Sequence, residues 1–508
     1  MGRYYVTTPI YYVNDVPHIG HAYTTLAADV LARYKRMDSF DVYFLTGTDE
    51  HGQKIERAAN EKNLGPKEFA DQVVVRFKDL WKKMNITNDD FIRTTEQRHE
   101  RVVKWFFEKL YAKGDIYLGT YEGLYCVSCE TFLTTSQLID GGCPVCKRKP
   151  ELVREPNYFF RLSKYQHALL KLYEEHPEFV RPDFRLNEVV SFVRQGLEDL
   201  SISRASFKWG ISVPNDPQHV IYVWFDALIN YVSGLGQPDG GSELYKKFWP
   251  ADVHLIGKDI LRHHAIYWPA FLLAADVSLP KTVFAHGWWT VEGEKMSKSF
   301  GNIVDPYEMI ETYGLDQFRY FLLREVPFGL DGDFSRDAVK GRINSELAND
   351  LGNLLGRAQG MCLKYFSGKL KDLDSIEGID EKLIEAAGKM DSGMRAGIDE
   401  IAFHHSLEAL IGFVDFANKY IDQTAPWTLF KENKMGRLAR VLYSLLESLR
   451  QIALHLAPFC PDSAQKMWEA LGQAGNISDA RFATAGKWGI FNSEIEIKRT
   501  AALFPRIE

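Results

Sequence analysis

The sequence predicts an α/β fold: a doubly wound parallel sheet, interrupted by a cysteine-knuckle insertion and followed by an all-α helical bundle. Three observations carry this reading. Residues 4–7 are aromatic and β-branched and read as a strand, Ala22, Leu26, Val30 and Tyr34 then recur at helical spacing, and residues 41–46 form a second strand pattern before another helix. From Asp115 to about Trp209 the alternation breaks into a β-rich stretch at residues 117–125, two Cys-x-x-Cys pairs and an amphipathic helix from Ser163. From Ser335 onward strand patterning is almost absent, and Leu347, Leu351, Leu354 and Leu355, then Ile411, Val414 and Phe416, then Leu442, Leu445, Leu446 and Leu449 mark successive amphipathic helices.

The expected division is therefore residues 1–115 as the first half of the sheet domain, 116–214 as the insertion, 215–325 as the second half, and 326–508 as linker and helical bundle. In the second half, strand patterns fall at residues 219–224, 253–256 and 282–285, and a helical segment around Pro306 and Gly314 closes it. Ligands of such a sheet lie at the carboxyl ends of its strands. Residues 12–21, 48–52 and 257–259 all fall there.

Composition narrows the function classes. The 61 Lys and Arg against 68 Asp and Glu give a net charge of −7, so there is no bulk basic field of the kind nonspecific nucleic-acid binders carry, and any RNA contact is local. The first residues hold no basic-then-apolar signal, Val6 stands where a myristoylation sequence needs Ser or Thr, and the longest apolar run, residues 265–275, contains Pro269 and is too short for a bilayer. A cytoplasmic protein is expected.

The chemistry concentrates in two short segments. His18-Ile19-Gly20-His21 falls where a loop enters a helix, so two imidazoles three residues apart share one side, Gly20 leaves backbone open to a flat ligand, and the helix N-terminus favours phosphate. Far downstream, Lys295-Met296-Ser297-Lys298-Ser299 sets two lysines three apart in a polar loop, able to follow charge as pyrophosphate departs. Each alone is as well read as satisfied histidines or a solvated loop. Four of the six cysteines form Cys126-x-x-Cys129 and Cys143-x-x-Cys146, a spacing suited to one structural Zn²⁺, with disulfides as the competing reading. Cys362 and Cys460 read as buried apolar residues.

The histidine and lysine segments, in this order and nearly 300 residues apart, resemble the signature of class I aminoacyl-tRNA synthetases. Residues 199–204, 223–227, 257–259 and 425–427 extend the likeness over nearly the whole chain, toward the methionine-activating branch of that family. The insertion has no room for the large editing domain of the leucine, isoleucine and valine branches, which leaves methionine or, second, cysteine. The resemblance implies a Rossmann-like catalytic domain that attaches methionine to tRNA through a methionyl-adenylate. His18, Gly20, His21, Gly257, Asp259, Lys295 and Lys298 would serve ATP, which carries Mg²⁺, with His18, His21, Lys295 and Lys298 catalytic. Ile10, Tyr12, Trp224, Ala227, Leu228, Tyr231, His264 and Trp268 would form the methionine pocket, with Asp49 on the α-ammonium; Leu228 and His263 depart from the family pattern. Asn353, Arg357 and Trp427 would read the anticodon while the catalytic domain holds the acceptor end, although Trp427 is equally readable as a core residue. No basic C-terminal extension is seen, so a monomer is expected. Two other readings stand beside this one. A shorter nucleotidylyltransferase would need neither bundle nor knuckle, and a catalytically silent RNA-binding factor would have no use for the lysines.

Overall fold

The computed structural model describes residues 2–14, 16–133, 137–291, 304–493 and 496–508, with the backbone of Glu294 and Lys295. The chain divides into two compact units, one of Arg3–Ala28 and Val42–His286, the other of Met1–Gly2, Asp29–Asp41 and Gly287–Glu508.

The first unit is built on a six-stranded sheet. Its strands are β1 (Arg3–Tyr12), β2 (Asp41–Asp49), β3 (Asp90–Arg93), β4 (Val180–Arg181), β5 (Val253–Gly257) and β6 (Val283–His286), in the order β3-β2-β1-β5-β6-β4. β2 pairs in parallel with β3, and β5 in parallel with β1 and β6, with Val6 opposite Val253 and His254 opposite Val283. Eight of the nine β2 residues are buried, the near-continuous burial of a strand covered on both faces. The first strand lies in the middle and the order reverses between β1 and β5, which makes their carboxyl ends the switch point where such sheets hold ligands.

Residues read as insertion form a four-stranded antiparallel sheet of Ile116–Cys126, Thr131–Leu133, Glu151–Phe160 and Leu200–Ser201. The two-residue strand β4 comes from the same stretch yet pairs in parallel with β6; it is too short for periodicity to reveal. One strand expectation needs correction. Asp216–Ile221 does form a strand, but in a separate antiparallel sheet with Ser203–Arg204 and Ser212–Val213, and Val223–Leu228 is a helix, α3. All six residues of α3 are buried, and a short apolar run buried on every side carries no period to separate helix from strand.

In the second unit, Asn353–Phe366, Gly378–Asp399, Phe403–Thr424, Pro426–Lys431 and Met435–Leu456 are helices, with a three-stranded sheet of Trp289–Val291, Glu294–Lys295 and Gly332–Phe334. Met435–Leu456 is not simply amphipathic, because from Val441 to Leu456 every residue is buried. Its charges are satisfied internally: Arg450 donates to both carboxylate oxygens of Glu447 at 2.7 and 2.8 Å.

Candidate active site

After β1, His18 immediately precedes helix α1 (Ile19–Met37). The His18 backbone N–H donates to Nδ1 of His21 and the Gly20 N–H donates to Nδ1 of His18, both at 3.1 Å. With Nδ1 an acceptor in each ring, the N–H of each ring is on Nε2, and the ring centroids lie 3.9 Å apart. Gly20 has a steric role here, since a Cβ would come within 2.9 Å of the His18 ring. Burial, then the charges of His18 and Lys54, hold His21 well below the usual histidine range, so it is neutral and a donor. Gly257 ends β5 in the same manner: a Cβ there would meet Asp259 Oδ1 at 2.6 Å. Met296, Ser297, Lys298 and Ser299 lie outside the described residues, as does the Lys295 side chain.

Beside the histidines lies a cavity of about 20 Å³ lined by Pro9, Ile10, Tyr12, Asp49, Trp224, Ala227, Leu228, Asn230, Tyr231, Ile260 and His264. Eight of the nine residues the sequence assigned to an amino-acid pocket meet there. Trp268 does not. It is fully buried behind the wall, its ring centroid 5.9 Å from that of Tyr231, with its indole N–H donating to His254 Nε2 at 3.3 Å. Pro9, Asn230 and Ile260 were missed, and nothing local in the sequence marks them. The space suits about one water, so an unbranched thioether enters only if the wall rings shift.

Four buried polar atoms around the cavity have no hydrogen-bond partner among the described residues: Tyr12 OH, Asp49 Oδ1, Trp224 Nε1 and Asn230 Oδ1. Buried polar atoms are normally satisfied by protein, water or a bound group, and here four of them surround one cavity. Asp49 does not cap the following helix, α2 (Gln53–Glu61), whose N-cap is Gly52. Burial first, then the neighbouring Asp226 and Glu130, push its carboxyl well above the ordinary range. Asp226 behaves oppositely. Burial raises it, but its carboxylate accepts from His51 Nδ1 at 2.7 Å and His99 Nε2 at 2.6 Å, and these outweigh burial and hold it low. The two bonds pin the loop after β2, through His51, and the helix Gln97–Ala112, through His99, to α3.

His264 Nδ1–H donates to the Ile260 carbonyl at 2.9 Å, which leaves Nε2 to accept the Tyr231 hydroxyl at 2.7 Å. Burial pushes its pKa down to about 4, so the cavity wall stays neutral. His263 stacks on Trp224 with ring centroids 3.8 Å apart.

The four knuckle cysteines converge, with sulfurs all within 4.8 Å of one another. Cys126 and Cys146 sulfurs lie 3.4 Å apart, and Cys143 and Cys129 sulfurs 3.9 Å. A tetrahedral ion with metal–sulfur bonds of about 2.3 Å would set its ligands about 3.8 Å apart, so the residues fit a four-thiolate metal site. None of the six cysteines is in a disulfide.

In the second unit, Asn353 is exposed and Arg357, four residues on, donates to Asp422 at 2.6 Å. Trp427 is 42 % exposed, so part of its surface is open to solvent.

A parallel sheet with two histidines at the entry to its first helix, and a small cavity holding a buried carboxylate at the adjoining strand ends, is the arrangement expected of a class I tRNA synthetase. The family model of class I tRNA synthetases (M) matches residues 4–151 and 134–359, and the anticodon binding domain of methionyl tRNA ligase matches residues 375–498. The chain belongs to the methionine--tRNA ligase family. It is 54 % identical over 506 residues to the enzyme of Caldanaerobacter subterraneus, covering 99 % of this chain and 79 % of that one. It is 51 % identical to the Rickettsia felis enzyme, covering 99 % and 98 %. The solved Mycobacterium tuberculosis methionyl-tRNA synthetase in complex with methionyl-adenylate superposes with a TM-score of 0.96 at 45 % identity over 100 % of both chains.

Proposed function

We propose that this chain attaches methionine to its tRNA in two steps. The observation that carries the assignment of the site is the ring of unpartnered polar atoms around one cavity beside His18 and His21. In the first step a carboxylate oxygen of methionine attacks the α-phosphorus of ATP, the α–β phosphoanhydride bond breaks, and pyrophosphate leaves with the electron pair. His18 and His21 donate from Nε2 to phosphate oxygens, Gly257 and Asp259 hold the adenosine, and Lys295 and Lys298 follow the pyrophosphate. Asp49 accepts the α-ammonium, and Ile10, Tyr12, Trp224, Ala227, Leu228, Tyr231 and His264 take the side chain, with Trp268 supporting the wall. Mg²⁺ enters with ATP. In the second step the terminal ribose hydroxyl of tRNA attacks the adenylate carbonyl and AMP departs.

Within this reading residues 1–115 and 215–325 carry the adenylation chemistry, residues 116–214 the insertion and residues 326–508 the anticodon contacts. Cys126, Cys129, Cys143 and Cys146 hold one Zn²⁺ that closes the knuckle and leaves no position open for chemistry. No described helix is long and apolar enough to cross a membrane, in keeping with work in the cytoplasm. The test is pyrophosphate exchange into ATP with each amino acid in turn: exchange with methionine is expected, and exchange with leucine or cysteine alone would overturn the assignment.

Anticodon reading has its own test. Trp427 sits in an exposed turn of helix after Pro426, with Asn353 and Arg357 offering an amide and a guanidinium. Trp427→Ala is expected to lose about 1–3 kcal/mol of tRNA binding, the worth of one base stacked on an aromatic, while pyrophosphate exchange stays at the wild-type level. A parallel fall in exchange and in melting temperature would return Trp427 to a packing role.

A further inference from the structure

Lys54 was not singled out by the sequence, and its placement is costly in three ways. It stands in the first turn of α2, where the helix dipole disfavours a cation. It is partly buried, and burial pulls its pKa down while Glu130, the Cys129 sulfur and Asp49 hold it up. Among the described residues its ammonium makes no ion pair or hydrogen bond, and its direct partner is the ring of Tyr12, with Nζ 4.7 Å from the centroid. The Lys54 backbone N–H donates to Glu130 Oε1 at 2.8 Å, and Glu130 follows Cys129 of the knuckle, so this turn of helix is held in place from outside the cavity. Tyr12 is a cavity wall, and its ring meets that of Trp224 edge-on at 6.2 Å. On the other side, Lys54 is close enough to His21 to lower its proton affinity. The ammonium thus lies over a wall ring of the amino-acid cavity and within electrostatic range of His21.

We infer that Lys54 is a further catalytic residue of adenylate formation, contributing its charge to the α-phosphoryl oxygens as the methionine carboxylate attacks. This rests on the adenylation reading above. In the step the carboxylate oxygen–phosphorus bond forms and the α–β phosphoanhydride bond breaks. Lys54 stays protonated throughout, so no proton changes hands. Two anions are brought together in a partly dry site, and a preorganised cation there acts on the charge that builds in the transition state. A carboxylate salt bridge to Lys54 would satisfy it in the ground state and remove that advantage, which gives a reason for its lone aromatic partner.

The test is single-turnover adenylate formation in the full chain with wild type, Lys54→Met and Lys54→Arg, alongside equilibrium methionine binding and melting. Lys54→Met is expected to slow adenylate formation roughly 30-fold or more, with the methionine Kd within about threefold and melting unchanged; Lys54→Arg, which keeps the charge, recovers most of the rate. Absence of methionine-dependent exchange in wild type would overturn the adenylation reading and this assignment together. Wild-type exchange with an unaltered rate in Lys54→Met overturns the assignment alone. So does a weaker methionine Kd at unchanged saturated rate, which would make Lys54 a ground-state holder of the carboxylate. A rate loss that follows a lowered melting temperature and is not recovered by Lys54→Arg also overturns it, in favour of a structural counterion for Glu130 and Asp49.

Discussion

Asp49→Asn weakens methionine binding by two to three decades. Asp49 is 2 % exposed, and its Oδ1 has no hydrogen-bond partner among the described residues. An α-ammonium placed against it satisfies both groups at once, and removing one partner of a buried, hydrogen-bonded charge pair costs about 2–5 kcal/mol. The pH dependence has a definite sign. Burial, with Asp226 and Glu130, raises the Asp49 pKa, and only the ionised form holds the ammonium. Methionine affinity therefore falls as pH drops through that raised value and levels off above it, a limb that Asp49→Asn lacks. Stability moves the other way. A carboxyl whose folded pKa is raised contributes stability below its unfolded pKa and loses it as pH rises through the folded value. At neutral pH the ligand-free Asn variant is accordingly expected to melt above the wild type. Calorimetric titration with methionine across the acid-to-neutral range checks the first claim and a melting curve the second; wild-type affinity in the variant would remove Asp49 from the site.

Metal removal is the second large effect. Four sulfurs within 4.8 Å of one another cannot all be thiolates without a cation between them. The uneven state of the thiols reflects this. A hydrogen bond from Cys129 pulls Cys126 down to about 5, while the Cys126 thiolate it supports, together with burial, pushes Cys129 far up. Structural Zn²⁺ sites contribute roughly 10–16 kcal/mol of apparent binding energy, which is folding energy for the segment they close. Among the described residues the knuckle's buried apolar cluster is Cys126, Leu133 and Cys143, with Leu124 and Leu138 packed against it, so its apolar core is small. One zinc per chain is expected by elemental analysis. Chelation or Cys143→Ser is expected to release it and expose residues 127–145 to proteolysis, with the six-stranded sheet retained. A metal-free preparation with a protease-resistant knuckle would contradict this.

Glu130 makes the knuckle relevant to the site. Its carboxylate accepts the Lys54 backbone N–H, and its carbonyl accepts the Tyr222 hydroxyl at 2.5 Å just before α3, which carries Trp224 and Asp226. Loss of the metal should therefore also lower adenylation.

Short-range chemistry was legible in the sequence alone. Cysteine spacing, the His18-to-His21 turn, the strand–helix alternation and the helical periodicity of the last third each depend on residues within one or two turns of one another. The family likeness then supplied roles that spacing could not. What only the tertiary structure decided is non-local. Eleven side chains from several elements surround one cavity, and whether an aromatic faces it, as Tyr231 does, or backs it, as Trp268 does, depends on packing across the sheet. The run through Trp224 folds as helix rather than strand because burial on all sides erased its period. The ionisation of Asp49 and Asp226, and the position of Lys54 over Tyr12, follow from distances between residues far apart in the chain. Sequence order carries residue chemistry and local period; desolvation and charge pairing exist only once the chain has closed around them.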